Sequence, residues 1–302
     1  MTDVLDIDDL DPDELDAVLA EAAALKADVA ANEPHAVLPE RSLAMLFEQP
    51  STRTRVSFEV GMTQLGGHAV FLGKEDIQLG RGEPIKDTAR ALARYVDAIM
   101  ARVGDHDDLE ALAEYADVPV VNGLSDEAHP AQTLADLLTV REQCGFDAEV
   151  AWVGDANNVG ASFVVGAAMA GLDVSVATPE AYAFDESVFE RAREYGAEPT
   201  VTHDPVEAVD DADVVYTDVW VSMADAENPE EKRETFYDGG FQVNEDLLAH
   251  GDDPAVMHCL PAHRGEEITD DVIESDAAIV WEQAENRMHA QKGLLVHLLN
   301  GD

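Results

Sequence analysis

Short apolar runs alternate along the chain with segments whose apolar residues recur at helical spacing. In the first half, the apolar runs indicate four strands: LAMLF (43–47), HAVFL (68–72), DAIMARV (97–103) and VPVVNG (118–123). Helical spacing follows Phe47 as far as about Leu65, and it recurs in KDTARALARY (86–95) and DLEALAEYA (108–116). Strands and helices in alternation predict a parallel sheet with covering helices.

The second half repeats this alternation after Gly145. Its apolar runs predict the strands AEVAWVGD (148–155), LDVSVATP (172–179), ADVVYTDVW (212–220), PAVMHCLP (254–261) and AAIVWEQ (277–283). Helices are expected from Asp11-Pro12, from Pro130, over 157–171 and over 284–300. We therefore predict an α/β protein of two doubly wound domains, each with a central parallel sheet flanked by helices, joined by the helix after Pro130.

The charge of the chain excludes some classes of partner. It carries 64 acidic and 18 basic residues, a formal net charge of -46. Such a protein repels nucleic acid and anionic membranes, so neither is an expected partner. The bases are 13 arginines and five lysines. An acidic, lysine-poor surface is typical of proteins from salt-loving cells, and an ordinary acidic cytosolic protein is the alternative.

The remaining composition indicates a cytosolic globular protein. Hydrophobic residues make up 46% of the chain, which is enough for real cores. We find neither an apolar run of roughly 18 residues nor a signal peptide. Two cysteines, Cys144 and Cys259, cannot form a disulfide framework, and this fits a reducing compartment.

The stretch FEQPSTRTRVSFE places hydroxyls and arginines where a predicted strand ends and a helix begins. Backbone amides and the helix dipole attract anions at such a point, and arginine adds a planar fork for phosphate oxygens. Because the GxxxxGK[ST] pattern is missing, nucleoside-triphosphate chemistry is not expected. Taken alone, residues 51–55 fit a phosphate site and simple helix capping with surface arginines equally well.

Three further residues could together polarise a carbonyl group. Arg102 ends a predicted strand, while His129 and Gln132 stand at the start of a predicted helix. A single histidine at a helix start is more often a cap than a catalyst, so their occurrence together is the informative feature.

Two motifs argue against a cofactor and a metal. In WVGDANNVG, Ala156 replaces the middle glycine of a dinucleotide fingerprint, so no nicotinamide cofactor is expected, and an asparagine there could bind a small carboxylate instead. In HCLPAHRGEE (258–267), His258 and Cys259 are neighbours on a strand and should point to opposite faces, so no metal site is expected. Cys259 is then either a thiol beside a reacting amine or a buried inert cysteine.

The chain resembles the ornithine carbamoyltransferases in six motifs that occur in the family's order. They are FEQPSTRTRVSFE, QLGRGEPIKDTARALARYVDAIMAR, HPAQTLADLLTV, DVWVSM, HCLPAHRGEE and ENRMHAQKGLL. The resemblance implies a cytoplasmic enzyme without cofactor or metal, with a carbamoyl phosphate domain at 1–140 and an ornithine domain at 141–283. A C-terminal helix, about 284–300, would pack back on the first domain. The family's assembly implies a homotrimer, or a multiple of it, with active sites at subunit interfaces.

The resemblance also implies roles for individual residues. Carbamoyl phosphate would be bound by Ser51, Thr52, Arg53, Thr54, Gln78 of a neighbouring subunit, Arg102, His129, Gln132, Cys259, Leu260 and Arg287. Ornithine would be bound by Asn158, Asp218, Ser222 and Met223. The catalytic residues would be Arg102, His129 and Cys259. This chain departs from the family's usual pattern at Ala131, in place of cysteine, and at Ala224, in place of a glycine in the loop that closes over ornithine.

The implied reaction transfers the carbamoyl group of carbamoyl phosphate to the δ-amine of L-ornithine, giving L-citrulline and phosphate, or runs in reverse in arginine catabolism. Other acceptors compete with ornithine. Putrescine has no carboxylate for Asn158 and N-acetylornithine has no cationic α-amine for Asp218, while aspartate enzymes differ in the HCLPAHR loop. A non-catalytic anion-binding protein would lack at least one of the site residues, and the sequence retains them all.

We predict that the protein needs molar salt to stay folded and assembled. Unscreened repulsion within a chain of net charge -46 destabilises compact and multimeric states. Light scattering and activity measured across a salt series test the prediction. A stable, fully active oligomer at about 50 mM salt, where screening is weak, would contradict it.

Overall fold

The structure, a computed structural model, describes residues 3–75, 82–222 and 228–300. Its strands are β1 (Ser42–Phe47), β2 (His68–Gly73), β3 (Ala98–Arg102), β4 (Val120–Leu124), β5 (Glu149–Val153), β6 (Asp173–Ala177), β7 (Thr200–Thr202), β8 (Val214–Thr217) and β9 (Ala255–His258). Its α-helices are α1 (Pro12–Ala31), α2 (Thr52–Gln64), α3 (Ile85–Leu92), α4 (His106–Tyr115), α5 (Pro130–Gln143), α6 (Asn158–Ala170), α7 (Glu186–Glu194), α8 (Pro205–Val209), α9 (Pro229–Asp238), α10 (Glu245–Leu248), α11 (Asp270–Ile273) and α12 (Val280–Asn300). Short 3-10 helices lie at Ile7–Asp9 and Glu180–Tyr182.

The chain divides into two compact units. Met1–Leu138 and Glu285–Asp302 form the N-terminal unit, and Thr139–Ala284 form the central unit. The first boundary falls inside α5 and the second inside α12. Among the described helices, none combines the length and the apolar character needed to cross a membrane.

The N-terminal unit contains a parallel sheet with strand order β2-β1-β3-β4. The chain leaves β1 for β2 on one side and later reaches β3 on the other, so the topological switch point lies between β1 and β3. Side chains from both strands, including Leu46 and Ile99, form a buried cluster with Leu109 and Leu112 of α4.

The central unit contains a second parallel sheet, with strand order β7-β6-β5-β8-β9. Its switch point lies between β5 and β8 by the same reasoning. Aromatic rings fill the space beside these strands: Tyr216 of β8 meets Trp152 of β5 edge-on at 4.9 Å and Phe163 of α6 at 5.1 Å. The predicted fold class of two doubly wound parallel sheets with flanking helices is confirmed.

One predicted strand is wrong. Among the described residues, the run AAIVWEQ (277–283) makes a single bridge, between Ala278 and Val256 of β9, and α12 begins at Val280. Two backbone hydrogen bonds keep residues 277–279 beside β9 before the chain turns into the helix. A short apolar run does not distinguish a strand from the start of a buried helix, and this one contains both. The short edge strand β7, at Thr200–Thr202, was not predicted because its side chains are largely polar or exposed.

In the N-terminal unit, α1 begins as its residues dictate and packs closely against the part of α12 that belongs to this unit. Asp11 and Glu14 form a reciprocal capping box at the start of α1, with Pro12 at the first position. On α12, a side chain at Gly293 would place its Cβ 2.5 Å from the carbonyl oxygen of Val18 on α1. Only glycine therefore permits this approach of the two helix backbones.

α12 also carries a buried imidazole, that of His289. Burial, followed by the positive charges of Lys292, Lys26 and His35, lowers the pKa of His289 to about 3. Glu285 lies 3.7 Å from its Nε2 atom. Because the folded-state pKa is below the ordinary value of 6.5, this group contributes stability above pH 6.5 and loses it as the pH falls toward 3.

We predict that the unfolding free energy of the wild type, relative to His289→Gln, falls by on the order of 2 kcal/mol between about pH 7.5 and pH 5. Chemical unfolding at constant high salt measures this difference. The same substitution at His297, a partly exposed position of the same helix, controls for the exchange itself. A difference that stays constant over this range would show that His289 does not titrate as described.

Candidate active site

The first cluster of predicted site residues lies at the switch point of the N-terminal unit. β1 ends at Phe47, which is in register with Arg102 at the end of β3. Ser51 is the N-cap of α2: its Oγ atom accepts the amide proton of Thr54 at 3.3 Å and its hydroxyl donates to Thr54 Oγ1 at 3.0 Å. The N-terminus of a 13-residue helix, with its positive dipole end, therefore faces the carboxyl edge of the sheet.

A buried arginine connects this helix start to two other helices. Arg287 of α12 donates through Nη2 to Thr54 Oγ1 at 2.9 Å, and its Nη1 atom contacts Gln132 Oε1 on α5. Gln132 in turn donates to Asp136 Oδ1 at 2.7 Å. All four side chains are almost completely buried. Arg287 is thereby fixed beside the start of α2, although 233 residues separate it from Thr54 in sequence.

His129 lies in the same cationic surroundings. Its pKa is held well below the ordinary value of 6.5, first by burial and then by the positive charges of Arg287, Arg102 and Arg53. The imidazole is therefore neutral at neutral pH and can donate a hydrogen bond without adding another charge. The structure brings together six of the residues that the resemblance implies, Arg53, Thr54, Arg102, His129, Gln132 and Arg287, and their roles in binding stay predictions.

The two arginines of the STRTR stretch have different surroundings. Arg53 is close enough to His129 to lower its pKa. Arg55, by contrast, stacks on the ring of Phe71 in β2 at 3.8 Å and pairs with Glu59 at 3.4 Å. One motif thus contains an arginine that lies near His129 and an arginine with structural contacts, and the sequence could not separate them.

The second cluster lies at the carboxyl edge of the sheet in the central unit. Asp218 follows β8 and is buried, and each of its carboxylate oxygens accepts one hydrogen bond. Asn157 Nδ2 donates to Oδ2 at 2.8 Å, and Cys259 Sγ donates to Oδ1 at 3.0 Å. Three loops, after β5, β8 and β9, therefore meet at one carboxylate.

Asn157 is a residue that the sequence reasoning missed. It is the N-cap of α6, where its Oδ1 atom accepts the amide proton of Gly160 at 3.0 Å while its amide group reaches Asp218. The cap pattern of the sequence would have located its oxygen, but not the second contact. The predicted ligand Asn158 is the next residue and begins the helix. A Cβ at Gly160 would lie 2.7 Å from the Trp152 ring, so the close approach of helix and strand requires glycine there.

A buried ion pair ties the same loop to α9. Lys232 Nζ lies 2.8 Å from Asp155 Oδ2, and both side chains are only 8% exposed. The ammonium group also lies 5.2 Å from the centre of the Tyr182 ring. Asp155 comes two residues before Asn157, so this pair helps to fix the loop after β5.

Two sets of side chains in the central unit could present donor atoms to a metal. They are Asp218, His258 and Cys259, and His263, Glu266 and Glu267. The side-chain atoms of His258 and Cys259 that could bind a metal lie closer together than strand alternation predicts. The alternation does not apply to Cys259, because β9 ends at His258. Hydrogen bonds within the protein already use the donor atoms of the first set, and in the second Glu266 pairs with Arg233 at 2.9 Å. That the chain requires no metal stays a prediction.

The structure also describes three other predicted site residues. Thr52 begins α2 and is exposed, Ser222 is half-buried, and Leu260 follows Cys259 with a left-handed φ of 59°. Gln78 and Met223 lie outside the residues that the structure describes, as does Ala224.

Two protein-family models match the chain. Residues 2–142 match the carbamoyl-P binding domain of aspartate/ornithine carbamoyltransferase, and residues 147–298 match the Asp/Orn binding domain. The chain belongs to the aspartate/ornithine carbamoyltransferase family. The first cluster lies in the part that matches the carbamoyl-P binding model, except Arg287, and the second lies in the part that matches the Asp/Orn binding model.

Full-length relatives of the carbamoyltransferase family agree with this assignment. The ornithine carbamoyltransferase of Haloquadratum walsbyi is 59% identical, over 98% of this chain and 97% of its own length. That of Pyrococcus abyssi is 54% identical, over 99% and 96%. The solved structure of the Pyrococcus furiosus ornithine carbamoyltransferase has a TM-score of 0.95 at 52% identity, covering 99% of this chain and 97% of that one.

Proposed function

We propose that the chain is an ornithine carbamoyltransferase, which transfers the carbamoyl group of carbamoyl phosphate to the δ-amine of L-ornithine and releases L-citrulline and phosphate. The observation that carries this proposal is the 59% identity, over nearly the full length, to a relative that bears this name. The two side-chain clusters offer what each substrate needs: cations for a phosphate ester, and an acid with amides for an amino acid.

Phosphate is proposed to bind at the start of α2. Ser51, Thr52 and Thr54 offer hydroxyls and backbone amides, and Arg53 offers a guanidinium for charge-assisted hydrogen bonds. We assign Gln78 to the same phosphate, from a neighbouring subunit, by the family resemblance alone. These groups would also stabilise phosphate as it leaves with its additional charge.

The carbamoyl group is proposed to lie against Arg102, His129, Gln132 and Arg287. Attack on the carbamoyl carbon places negative charge on its oxygen, and donors fixed beforehand stabilise that oxyanion most effectively. The lowered pKa of His129 supports a role as a neutral donor rather than as a base. Gln132 is held from both ends, by Arg287 and Asp136, so its position is fixed before the substrate arrives.

Ornithine is proposed to bind through its α-amino and α-carboxylate groups. Asp218 supplies the negative charge for the α-amine, and Asn158, Ser222 and Met223 complete the binding residues. Asn157 belongs with these residues because it donates a hydrogen bond to one oxygen of Asp218. The two hydrogen bonds that Asp218 accepts fix its carboxylate in one orientation.

The reaction further requires the δ-amine to lose its proton. A primary amine titrates near 10 in water, and positive groups around carbamoyl phosphate favour the neutral form of an amine that approaches them. Cys259 and Leu260 are proposed to lie at the reacting centre. In the described contact, the Cys259 thiol donates to a carboxylate, so it acts as a hydrogen-bond donor. The attacking nitrogen then gives up its second proton, and the tetrahedral intermediate collapses by expelling phosphate, which carries that proton away.

A homotrimer, or a multiple of it, is the assembly we propose. α2 exposes two valines one turn apart, Val56 at 51% and Val60 at 38%, and the edge strand β2 exposes Val70 at 38%. The exposed valines of α2, in a chain of net charge -46, support contact with a second copy of the chain. α2 begins next to Ser51, where phosphate is proposed to bind, as a site completed by a neighbouring subunit requires. We also propose a cytoplasmic location, where reduced Cys144 and Cys259 are stable.

We predict that Asp218→Ala loses ornithine turnover by at least about 30-fold, since truncating a partner of a buried charged group costs about 2–5 kcal/mol. Carbamoyl phosphate should bind this variant normally. Steady-state kinetics in high salt with ornithine, putrescine and N-acetylornithine measure both effects, and Asp218→Asn separates the charge from the shape. Unchanged ornithine kinetics, or a wild type that prefers putrescine, would refute the assignment of the acceptor.

Arg53→Ala should weaken carbamoyl phosphate binding by about 10-fold or more and lower kcat, because a hydrogen bond to a charged group contributes about 1.5–3 kcal/mol. Calorimetry and kinetics measure the two quantities. Arg94→Ala, which removes an arginine from an exposed ion pair with Asp117, is the matched control and should behave as the wild type. If Arg53→Ala and Arg94→Ala bind carbamoyl phosphate with equal affinity, residues 51–55 only cap the helix and do not bind phosphate.

A further inference from the structure

We propose that His258 and Glu267 are positioning residues that hold the Cys259–Leu260 segment in its working geometry. Neither side chain is among the residues proposed to bind carbamoyl phosphate or ornithine. The inference rests on the proposed carbamoyl transfer for its catalytic consequence, but the structural part can be tested without activity. It follows from three hydrogen bonds that converge on one imidazole and one carboxylate, and from a fourth that holds the backbone of His258.

The ring of His258 is fully buried at the end of β9 and both its nitrogens are used. Nδ1 lies 2.9 Å from the backbone nitrogen of Leu260, and Nε2 lies 3.0 Å from Glu267 Oε1. A backbone amide can only donate, so Nδ1 must be the acceptor. The proton of the ring is therefore on Nε2, which donates to Glu267, and this pairing fixes both tautomer and ring orientation.

Glu267 is the anchor of this arrangement. Its side chain is completely buried, and Oε1 also accepts the amide proton of His263 at 2.6 Å. The amide of His258 donates to Gln283 Oε1 at 2.9 Å, so the strand end is held as well as the ring. In the described residues Oε2 has no hydrogen-bond partner and lies 4.0 Å from His263 Nδ1, so the hydrogen bonds of this carboxylate are made by Oε1.

The segment held in this way needs support. Leu260 has a φ of 59°, a left-handed conformation that is unfavourable for a leucine. The hydrogen bond from its amide to His258 Nδ1 stabilises that conformation directly. Cys259, one residue earlier, keeps its thiol 3.0 Å from Asp218 Oδ1. The imidazole therefore sets where the thiol and Leu260 lie, and a displacement of about 1 Å at a reacting centre can cost on the order of 100-fold in rate.

Two isosteric amides at position 258 separate positioning from simple stability. In His258→Asn, the side-chain oxygen can take the place of Nδ1 and accept from Leu260, while the contact with Glu267 is lost. In His258→Gln, the amide can take the place of Nε2 and donate to Glu267, while the contact with Leu260 is lost. A merely structural role predicts similar effects, whereas the positioning role predicts that only His258→Gln displaces the segment.

The rate of Cys259 alkylation by iodoacetamide is the readout that does not depend on activity. A Cys144→Ser background removes the other thiol, which is exposed. We expect His258→Gln to react at least about 5-fold faster than the wild type, because its thiol is no longer held at Asp218, and His258→Asn to react at the wild-type rate. Equal alkylation rates in the two variants overturn the proposal, whatever their activities.

Citrulline formation then tests the catalytic consequence. We expect kcat to fall about 100-fold in His258→Gln and by less than about 10-fold in His258→Asn, with carbamoyl phosphate affinity unchanged in both. Equal kcat values despite different alkylation rates would overturn the catalytic part. A wild type that forms no citrulline would refute the proposed function instead, and the alkylation rates would still decide whether His258 holds the segment.

Substitutions at Glu267 keep the proposal testable if the His258 variants do not fold. Glu267→Gln retains the oxygen that accepts from His258 and His263, so its kcat and alkylation rate should remain near those of the wild type. Glu267→Ala removes that oxygen and should behave as His258→Gln. Glu266→Gln, at the neighbouring residue that pairs with Arg233, is the matched control and should leave both readouts unchanged. Wild-type readouts in Glu267→Ala would overturn the proposal.

Discussion

The parallel pairing of strands around a switch point is the constraint on which the rest of this structure depends. β1 lies between β2 and β3, and β5 lies between β6 and β8, so in each sheet the connections leave the central strand in opposite directions. The loops that follow these strands therefore lead away in opposite directions and leave a crevice at the carboxyl edge of each sheet. Ser51 follows β1, Asn157 follows β5 and Asp218 follows β8, and each side chain reaches its neighbours only because its strand ends there. Chemistry at these positions follows from the topology rather than from local sequence.

Charge imposes a second constraint, and it acts on two length scales. A net charge of -46 repels carbamoyl phosphate, itself an anion, at long range. Within the cluster around His129, the charges of Arg53, Arg102 and Arg287 reverse this at short range. High salt screens the distant repulsion over a few ångströms, whereas charges in close contact are screened much less. An acidic surface and an anion site are therefore compatible in a salty medium, and few of the protein's bases are needed for the site.

The few lysines of this acidic chain are used largely for contacts within the protein. Three of the five lysines make described contacts with buried or half-buried partners: Lys26 with Asn286, Lys292 with Gln64 and Lys232 with Asp155. Many exposed positions carry acids instead. The sequence showed how few lysines there are, but only the structure shows that three of them connect a helix or a loop to a neighbouring segment.

The sequence predicted the fold for an identifiable reason, while the family resemblance supplied most of the residues that the two clusters contain. Strand runs were recognisable because buried parallel strands are continuously apolar, and the STRTR, HPAQ and HCLP motifs lie at their ends. What it could not predict were side-chain contacts across long sequence separations, such as the second hydrogen bond of Asn157 or the bond between Glu267 and His258. AAIVWEQ was misassigned because its apolar run serves first as a partner of β9 and then as the start of a helix.

The two clusters solve opposite problems of proton placement, which explains why their supporting residues differ. The proposed ornithine site must keep the α-amine charged, and a carboxylate such as Asp218 does so. The same substrate must present a neutral δ-amine to the carbamoyl carbon, so the carboxylate has to be confined to one end of it. Asn157 and Cys259 each engage one oxygen of Asp218 and thereby fix where its negative charge is directed. The cationic cluster, as the proposed carbamoyl phosphate site, needs the converse. The lowered pKa of His129 keeps its imidazole neutral, so the proposed substrate would meet fixed donors rather than groups that change their charge during the reaction.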